Sequence, residues 1–170
     1  EPLSNLDAKL RRQVREDIRE IQQKLGVTTI YVTHDQEEAL AISDKVIVMN
    51  KAVIAQEGSP KDLYNFPKNK FVANFIGDAN VVKVEIINKQ SNIYELKLAD
   101  INVKIESDND LNDTVSIALR PEKIKIVEDS NFKILVEKCF FQGKEYKIFG
   151  TLNGYKWQFF SKKPLIIKSY

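Results

Sequence analysis

The apolar residues near the start of the chain recur every three or four positions. This spacing places them on one face of a helix. The residues are Leu10, Val14, Ile18, Ile21 and Leu25. Asp7 or Ser4 can cap the start of this helix, and Gly26 can end it. The opposite face is rich in arginine and glutamate, and we interpret it as a solvated surface.

The chain up to Gly77 then alternates between strand and helix patterns. The β-branched run Val27–Val32 predicts a buried strand, and Thr33 and Gln36 have capping-box spacing for a helix that reaches Ile42. Further predicted elements are two strands joined as a hairpin (Lys45–Met49 and Val53–Gln56), a helix that starts at Ser59-Pro60, and a last helix that carries Phe71 and Phe75. This order is typical of the tail of an α/β layered domain.

The pattern changes after residue 78, where the apolar residues fall into short alternating runs. Asparagine- and aspartate-rich turns separate the runs, and Asn153-Gly154 is a hairpin signal. The runs are Val82–Ile86, Ile93–Leu98, Ile101–Ile105, Val115–Leu119, Ile124–Val127, Phe132–Phe141, Tyr146–Leu152, Tyr155–Phe160 and Leu165–Ile167. Eight or nine short strands predict a small antiparallel barrel or sandwich. We therefore expect two domains, residues 1–78 and 79–170.

Composition narrows the class of protein. The 170 residues carry a formal net charge of +2, with −1 on residues 1–78 and +3 on residues 79–170. The basic residues of 79–170 are interspersed with acidic ones, so this part lacks the concentrated basic face of a nucleic-acid binder. Cys139 is the single cysteine, which excludes an internal disulfide and makes a zinc site improbable. No apolar run is long enough to cross a bilayer, and the first residues do not form a signal peptide. We expect a protein that is neither membrane-spanning nor secreted.

Several motifs together resemble the C-terminal part of the nucleotide-binding subunit of ATP-binding cassette (ABC) importers. Residues 1–11 (EPLSNLDAKLR) are similar to the end of the Walker B segment and the D-loop, and residues 31–39 (YVTHDQEEA) are similar to the H-loop. Gly58-Ser59-Pro60 and residues 71–77 (FVANFIG) resemble the exit from the cassette in the subgroup with a C-terminal regulatory domain. Arg120-Pro121-Glu122 resembles a marker of the OB-like TOBE modules of that domain.

The resemblance implies a role for each matching residue. Glu1 corresponds to the Walker B glutamate, which orients and polarises the attacking water, and His34 to the switch histidine that bonds the γ-phosphate. The D-loop residues would reach across a homodimer interface towards the partner's nucleotide. These residues are Ser4, Asn5, Leu6 and Asp7. Asp7 and Ser4 can also act as helix caps.

The cofactors implied are ATP and Mg²⁺, although no metal ligand is assigned in this chain. In the family, the phosphate-binding Walker A loop, the Q-loop, the signature loop and the magnesium-binding aspartate precede the residue that matches Glu1. No GxxxxGK[ST] sequence occurs in the 170 residues, so we expect ATPase activity from the complete subunit and none from this chain alone. The implied partners are a second ATPase subunit, transmembrane permease subunits and, indirectly, an extracytoplasmic solute-binding protein. No nucleic-acid partner is implied, and the location would be the cytoplasmic face of the membrane.

The transported solute and one competing class of function stay open at this point. The D-loop form Ser4–Ala8 and the sequence Ile76–Asn80 resemble ferric-iron importers first, and importers of polyamines or other solutes second. Alternatively, residues 79–170 could be a stand-alone OB-like ligand-binding module, with Trp157, Phe159 and Phe160 as a base-stacking platform. Strand alternation favours core packing for these aromatic residues. The YVTHDQEEA segment favours the importer, since a binding module has no need for it.

Overall fold

The computed structural model describes residues 7–98, 101–127 and 132–165. The chain divides into two compact units, Glu1–Gly77 and Asp78–Tyr170. Within the described residues, the first unit contains four helices and a two-stranded sheet, and the second is built from antiparallel strands.

The predicted first helix is confirmed as α1 (Ala8–Leu25). The side chain of Asp7 accepts hydrogen bonds from the backbone N–H groups of Lys9 and Leu10 at 3.0 and 2.9 Å, so Asp7 is the cap of α1, whereas Ser4 lies outside the described residues. Gly26 ends the helix in the left-handed conformation (φ 63°), as expected of a C-terminal glycine.

The prediction of a strand over Val27–Val32 is wrong. These residues lie in no strand, and the side chains of Ile30 and Val32 are 89% and 71% exposed. A strand is held by a hydrogen-bonded neighbour, and no strand in the described part of the chain pairs with this segment. The sequence pattern indicates that this segment prefers an extended and buried conformation, but it does not show which strand would pair with the segment.

The remaining elements of the first unit follow the predicted order. They are α2 (Gln36–Ile42), β1 (Val46–Asn50), β2 (Val53–Gly58), α3 (Pro60–Asn65) and α4 (Lys70–Phe75). The capping-box prediction for Thr33 is wrong, because Asp35 caps α2, whereas Ser59 caps α3 as expected. The strands β1 and β2 form the predicted antiparallel hairpin. The core of the first unit consists of Val46, Val48, Leu63, Val72 and Ile76.

The described residues of the second unit form two antiparallel sheets. Its strands are β3 (Asn80–Gln90), β4 (Ile93–Leu98), β5 (Ile101–Glu106), β6 (Thr114–Leu119), β7 (Leu135–Phe141), β8 (Tyr146–Leu152) and β9 (Tyr155–Ser161). The sheet orders are β5-β4-β3-β6 and β7-β8-β9. The seven strands in the described ranges agree with the predicted antiparallel β class. The run Ile124–Val127 was predicted as a strand but follows a short 3₁₀ turn (Pro121–Lys123) without joining a sheet, and most of Leu165–Ile167 lies outside the described residues.

Residues from both sheets meet in the core of the second unit. Val82, Val84, Tyr94, Leu96 and Leu98 pack together with Trp157. Trp157 and Phe159 are about 95% buried, so they are core residues and not a stacking platform, while Phe160 is half-buried. Cys139, predicted as a small buried residue, is also half-buried.

Candidate functional site

His34 lies exposed in a short turn between the Val27–Val32 segment and α2. The turn is closed by the backbone N–H of Asp35, which donates to Oγ1 of Thr33 at 3.0 Å. A threonine hydroxyl that accepts from the backbone two residues later is a common local turn motif. The imidazole is therefore presented to solvent from a defined backbone position.

Asp35 fixes the turn on its C-terminal side. Its Oδ1 accepts from the backbone N–H groups of Glu37 and Glu38 at 2.8 and 3.2 Å, which caps α2. Its Oδ2 lies 4.0 Å from the guanidinium of Arg11, on the second turn of α1. The helix that Asp7 caps and the turn that carries His34 thus contact each other through Arg11 and Asp35.

Glu38 forms a buried polar cluster beneath this turn. Only 4% of Glu38 is exposed, and its Oε2 accepts from the hydroxyl of Tyr31 at 3.0 Å and from that of Thr33 at 2.8 Å. Burial, assisted by the hydrogen bond to Glu38, raises the pKa of the Tyr31 phenol above its ordinary value. Buried carboxylates require such partners, and two hydroxyl donors satisfy Glu38.

A second contact holds α1 to the chain that follows α2. The guanidinium of Arg19 donates to both carboxylate oxygens of Asp44, one of them at 2.9 Å. This bidentate pair raises the pKa of Arg19 and lowers that of Asp44, in both cases chiefly through the hydrogen bonds. α1 is therefore linked to the chain at both ends of α2, at the cap residue Asp35 and at Asp44.

Among the other candidate residues, the structure describes Asp7 alone. Asp7 is described as the cap of α1, whereas Glu1, Ser4, Asn5 and Leu6 lie outside the described residues. His34 and Asp7 thus belong to two elements that touch through Arg11 and Asp35.

The described residues do not form a complete site for Mg²⁺ or for ATP phosphates. Within those ranges no group of three or more histidine, cysteine, aspartate or glutamate side chains could hold a metal ion. The glycines at 26, 58, 77, 143, 150 and 154 form no phosphate loop. No helix in the described segments is long and apolar enough to span a bilayer.

By sequence, this chain is a homologue of the ATP-binding subunits of ABC importers, and it matches a C-terminal part of such a subunit. It is 43% identical over 159 residues to the spermidine/putrescine import ATP-binding protein PotA of Acetivibrio thermocellus, covering 92% of this chain and 44% of the relative. It is 48% identical over 126 residues to the Fe(3+) ions import ATP-binding protein FbpC of Brucella melitensis, covering 74% of this chain and 36% of the relative. The PotA protein of Clostridium acetobutylicum is 42% identical over 160 residues, again with 92% and 44% covered.

The chain therefore spans less than half the length of the curated relatives it matches. No protein-family model matches it.

His34 and Asp7 are candidates on the resemblance, but the sequence did not point to the residues that contact their segments. Asp35 carries the usual signal of a helix cap, an aspartate just before the helix, and could have been chosen over Thr33. Glu38 and Arg11 carried no such signal, because a glutamate on α2 and an arginine on α1 read as solvated helix charges. Only the packing of the two segments reveals their contacts.

Proposed function

We propose that this chain is the C-terminal part of an importer subunit that couples ATP hydrolysis to solute uptake. Residues 1–78 would be the end of the α/β ATPase domain, and residues 79–170 a TOBE-type regulatory domain. The identity of 43–48% to import ATP-binding proteins carries the proposal. The exposed position of His34 in a fixed turn supports it.

His34 would donate a hydrogen bond to the γ-phosphate of ATP, and Glu1 would orient the attacking water. Residues 4–7 would contact the nucleotide of the second subunit in a homodimer. The phosphate-binding loop and the ligands of Mg²⁺ would come from other residues of the complete subunit, meaning the protein of which this chain is the proposed part. Mg²⁺ would neutralise phosphate charge when bound.

The complete subunit would work with permease subunits at the cytoplasmic face of the membrane. Closure of two ATPase subunits on ATP and their reopening after hydrolysis would drive the permease, which an extracytoplasmic solute-binding protein would load. The relatives named above are import proteins, which supports this set of partners.

Ferric iron is the first candidate solute and a polyamine is the second. The relative named for Fe(3+) import has the higher identity, 48%. The relatives named for spermidine and putrescine match over more of this chain, 92%. Radioactive uptake in cells that lack this subunit would separate the candidates, since only the true solute loses ATP-dependent accumulation.

The catalytic proposal is tested by Glu1→Gln and His34→Ala in the complete subunit. We expect Glu1→Gln to abolish steady-state turnover and retain ATP binding, because an amide has the shape of the carboxylate but cannot orient water in the same way. Glu16→Gln, an exposed acid on α1, is the matched control and should retain wild-type turnover. ATPase activity within a few-fold of wild type in Glu1→Gln would reject the role of Glu1.

A further inference from the structure

We propose that Glu38 is a positioning residue that holds His34 in place by binding both of its sequence neighbours. The proposal rests on the function proposed above for His34. It assigns no direct contact between Glu38 and the nucleotide.

The contacts of Glu38 are arranged around the His34 turn. On the N-terminal side, the Glu38 carboxylate accepts from the Thr33 hydroxyl at 2.8 Å. On the C-terminal side, the Glu38 backbone N–H donates to Oδ1 of Asp35 at 3.2 Å. One residue of α2 therefore touches both Thr33 and Asp35, while His34 between them points to solvent.

The Glu38 carboxylate also determines that the Thr33 hydroxyl accepts from the backbone of the turn. Because the hydroxyl hydrogen is directed to Glu38, the lone pairs of Oγ1 are left to accept from the Asp35 N–H, which closes the turn at 3.0 Å. A hydroxyl between a carboxylate and an N–H has one satisfied orientation. Without the carboxylate, the hydroxyl can rotate and the turn loses its support.

Tyr31 secures the carboxylate itself. The Tyr31 hydroxyl donates to the same Oε2 at 3.0 Å, and Glu38 is almost fully buried. A buried carboxylate with two hydroxyl donors has a single favourable orientation, because any other leaves a charge without partners. Through this cluster, the packing of α2 fixes the backbone position of His34.

The central measurement is the NMR signal of the His34 ring in the complete subunit. His34 is the one histidine of this chain, and its loss in His34→Ala identifies the signal among any others. In Glu38→Leu, which removes the acceptor of both hydroxyls, we expect the ring resonances to move towards those of an unstructured histidine. Glu37→Leu, the same substitution at an exposed neighbour on α2, should leave them unchanged.

Steady-state kinetics of the same variants provide the functional readout. Misplacement of a catalytic group lowers kcat more than substrate binding, so we expect Glu38→Leu to lose about 10-fold or more in kcat with KM for ATP nearly unchanged. Thr33→Val should behave like Glu38→Leu, whereas Thr33→Ser keeps the hydroxyl and should retain wild-type kcat. The double variant should be no worse than either single one, because both break one chain of contacts.

Two results would overturn the proposal: ring signals of His34 that stay in place in Glu38→Leu, or signals that move equally in Glu37→Leu. Additive losses of kcat in the double variant would likewise speak for two separate structural effects. Full turnover in His34→Ala would instead overturn the function proposed for His34. The ring signals would still decide the positioning by Glu38, so the two failures are distinguishable.

Discussion

Two buried side-chain amides, Gln56 and Asn80, bind backbone groups outside their own strands. Gln56 donates to the Phe66 carbonyl at 3.0 Å and accepts from the Lys68 N–H at 2.7 Å, which ties the loop after α3 to β2. Asn80 donates to the carbonyls of Leu119 and Gln158 and accepts from the Gln158 N–H at 2.7 Å. At the residue scale, the amide of Asn80 joins the start of β3 to β9 in the other sheet.

Asn80→Ala should lower the stability of the second unit by about 2 kcal/mol, because it leaves buried backbone groups of Gln158 without partners. Asn80 is only 2% exposed, so water cannot readily replace the amide. Urea unfolding followed by Trp157 fluorescence is the measurement, since Trp157 is the single tryptophan and lies in this core. Asn88→Ala, an exposed position on the same strand, should change the midpoint little.

The stability of the first unit should fall as pH rises past 10. Burial and the bond to Glu38 raise the pKa of Tyr31 above the reference value of 10.0. The unfolded chain therefore loses the phenol proton at lower pH than the folded one, so the stabilisation is complete below pH 10 and is lost through the folded pKa.

Titration of ¹³Cζ-labelled tyrosines in the complete subunit checks the Tyr31 prediction, with Tyr31→Phe to identify the signal. Glu38→Gln should lower the Tyr31 pKa only in part, because burial is the larger cause. A Tyr31 signal that titrates at the value of a free tyrosine would contradict the prediction.

At the element scale, the β1–β2 hairpin turns through two residues with positive φ. These are Lys51 (φ 49°) and Ala52 (φ 63°), neither of which is glycine. The left-handed region disfavours residues with a Cβ. The sequence predicts a hairpin here, and the hairpin forms with a strained turn.

Ala52→Gly should stabilise the first unit by about 0.5–1 kcal/mol, since glycine adopts this φ at lower cost. The matched control is Ala55→Gly on β2, which should destabilise by a similar amount because glycine weakens a strand. Calorimetric unfolding of the complete subunit measures both. A lower unfolding temperature in Ala52→Gly would show that the turn is not strained.

At the scale of the whole molecule, the second unit should fold without the first. Asp78 belongs with it, because its carbonyl accepts from Arg120 at 3.1 Å and its carboxylate pairs with Lys147. We expect a fragment of residues 78–170 to give dispersed NMR signals and buried Trp157 fluorescence. A fragment that starts at Val81 lacks Asn80 and should be much less stable, and a protease-sensitive 78–170 fragment would refute the prediction.

The 170-residue chain should neither bind ATP tightly nor hydrolyse it. Phosphate binding in such enzymes depends on a glycine-rich loop, a lysine and Mg²⁺, and the chain contains no such loop. The apolar residues Leu25, Ile30 and Val32 are exposed in the first unit, so this half should also self-associate. Calorimetric titration with Mg-ATP and phosphate release test this, and micromolar binding would show that the nucleotide site lies within these residues.

The sequence by itself determined most elements and their ends. The spacing of Leu10 to Leu25 and the glycine at 26 defined α1, Ser59-Pro60 defined the start of α3, and alternation identified most strands of the second unit, with Ile124–Val127 as an exception. These features depend on contacts within a few residues, namely helix periodicity, caps and pleat. The prediction of His34 as a site residue rests on its flanking motif, which is also local.

Strand pairing and hydrogen bonds between separate segments followed only from the tertiary structure. Val27–Val32 has a strand composition but joins no sheet among the described residues, because a strand exists only beside another. Glu38 reads as a solvated helix charge, yet it is buried where the packing of α2 brings it to Tyr31 and Thr33. The pattern of a sequence records which residues prefer burial or a given backbone conformation, whereas hydrogen bonds between separate segments depend on which surfaces meet when the chain folds.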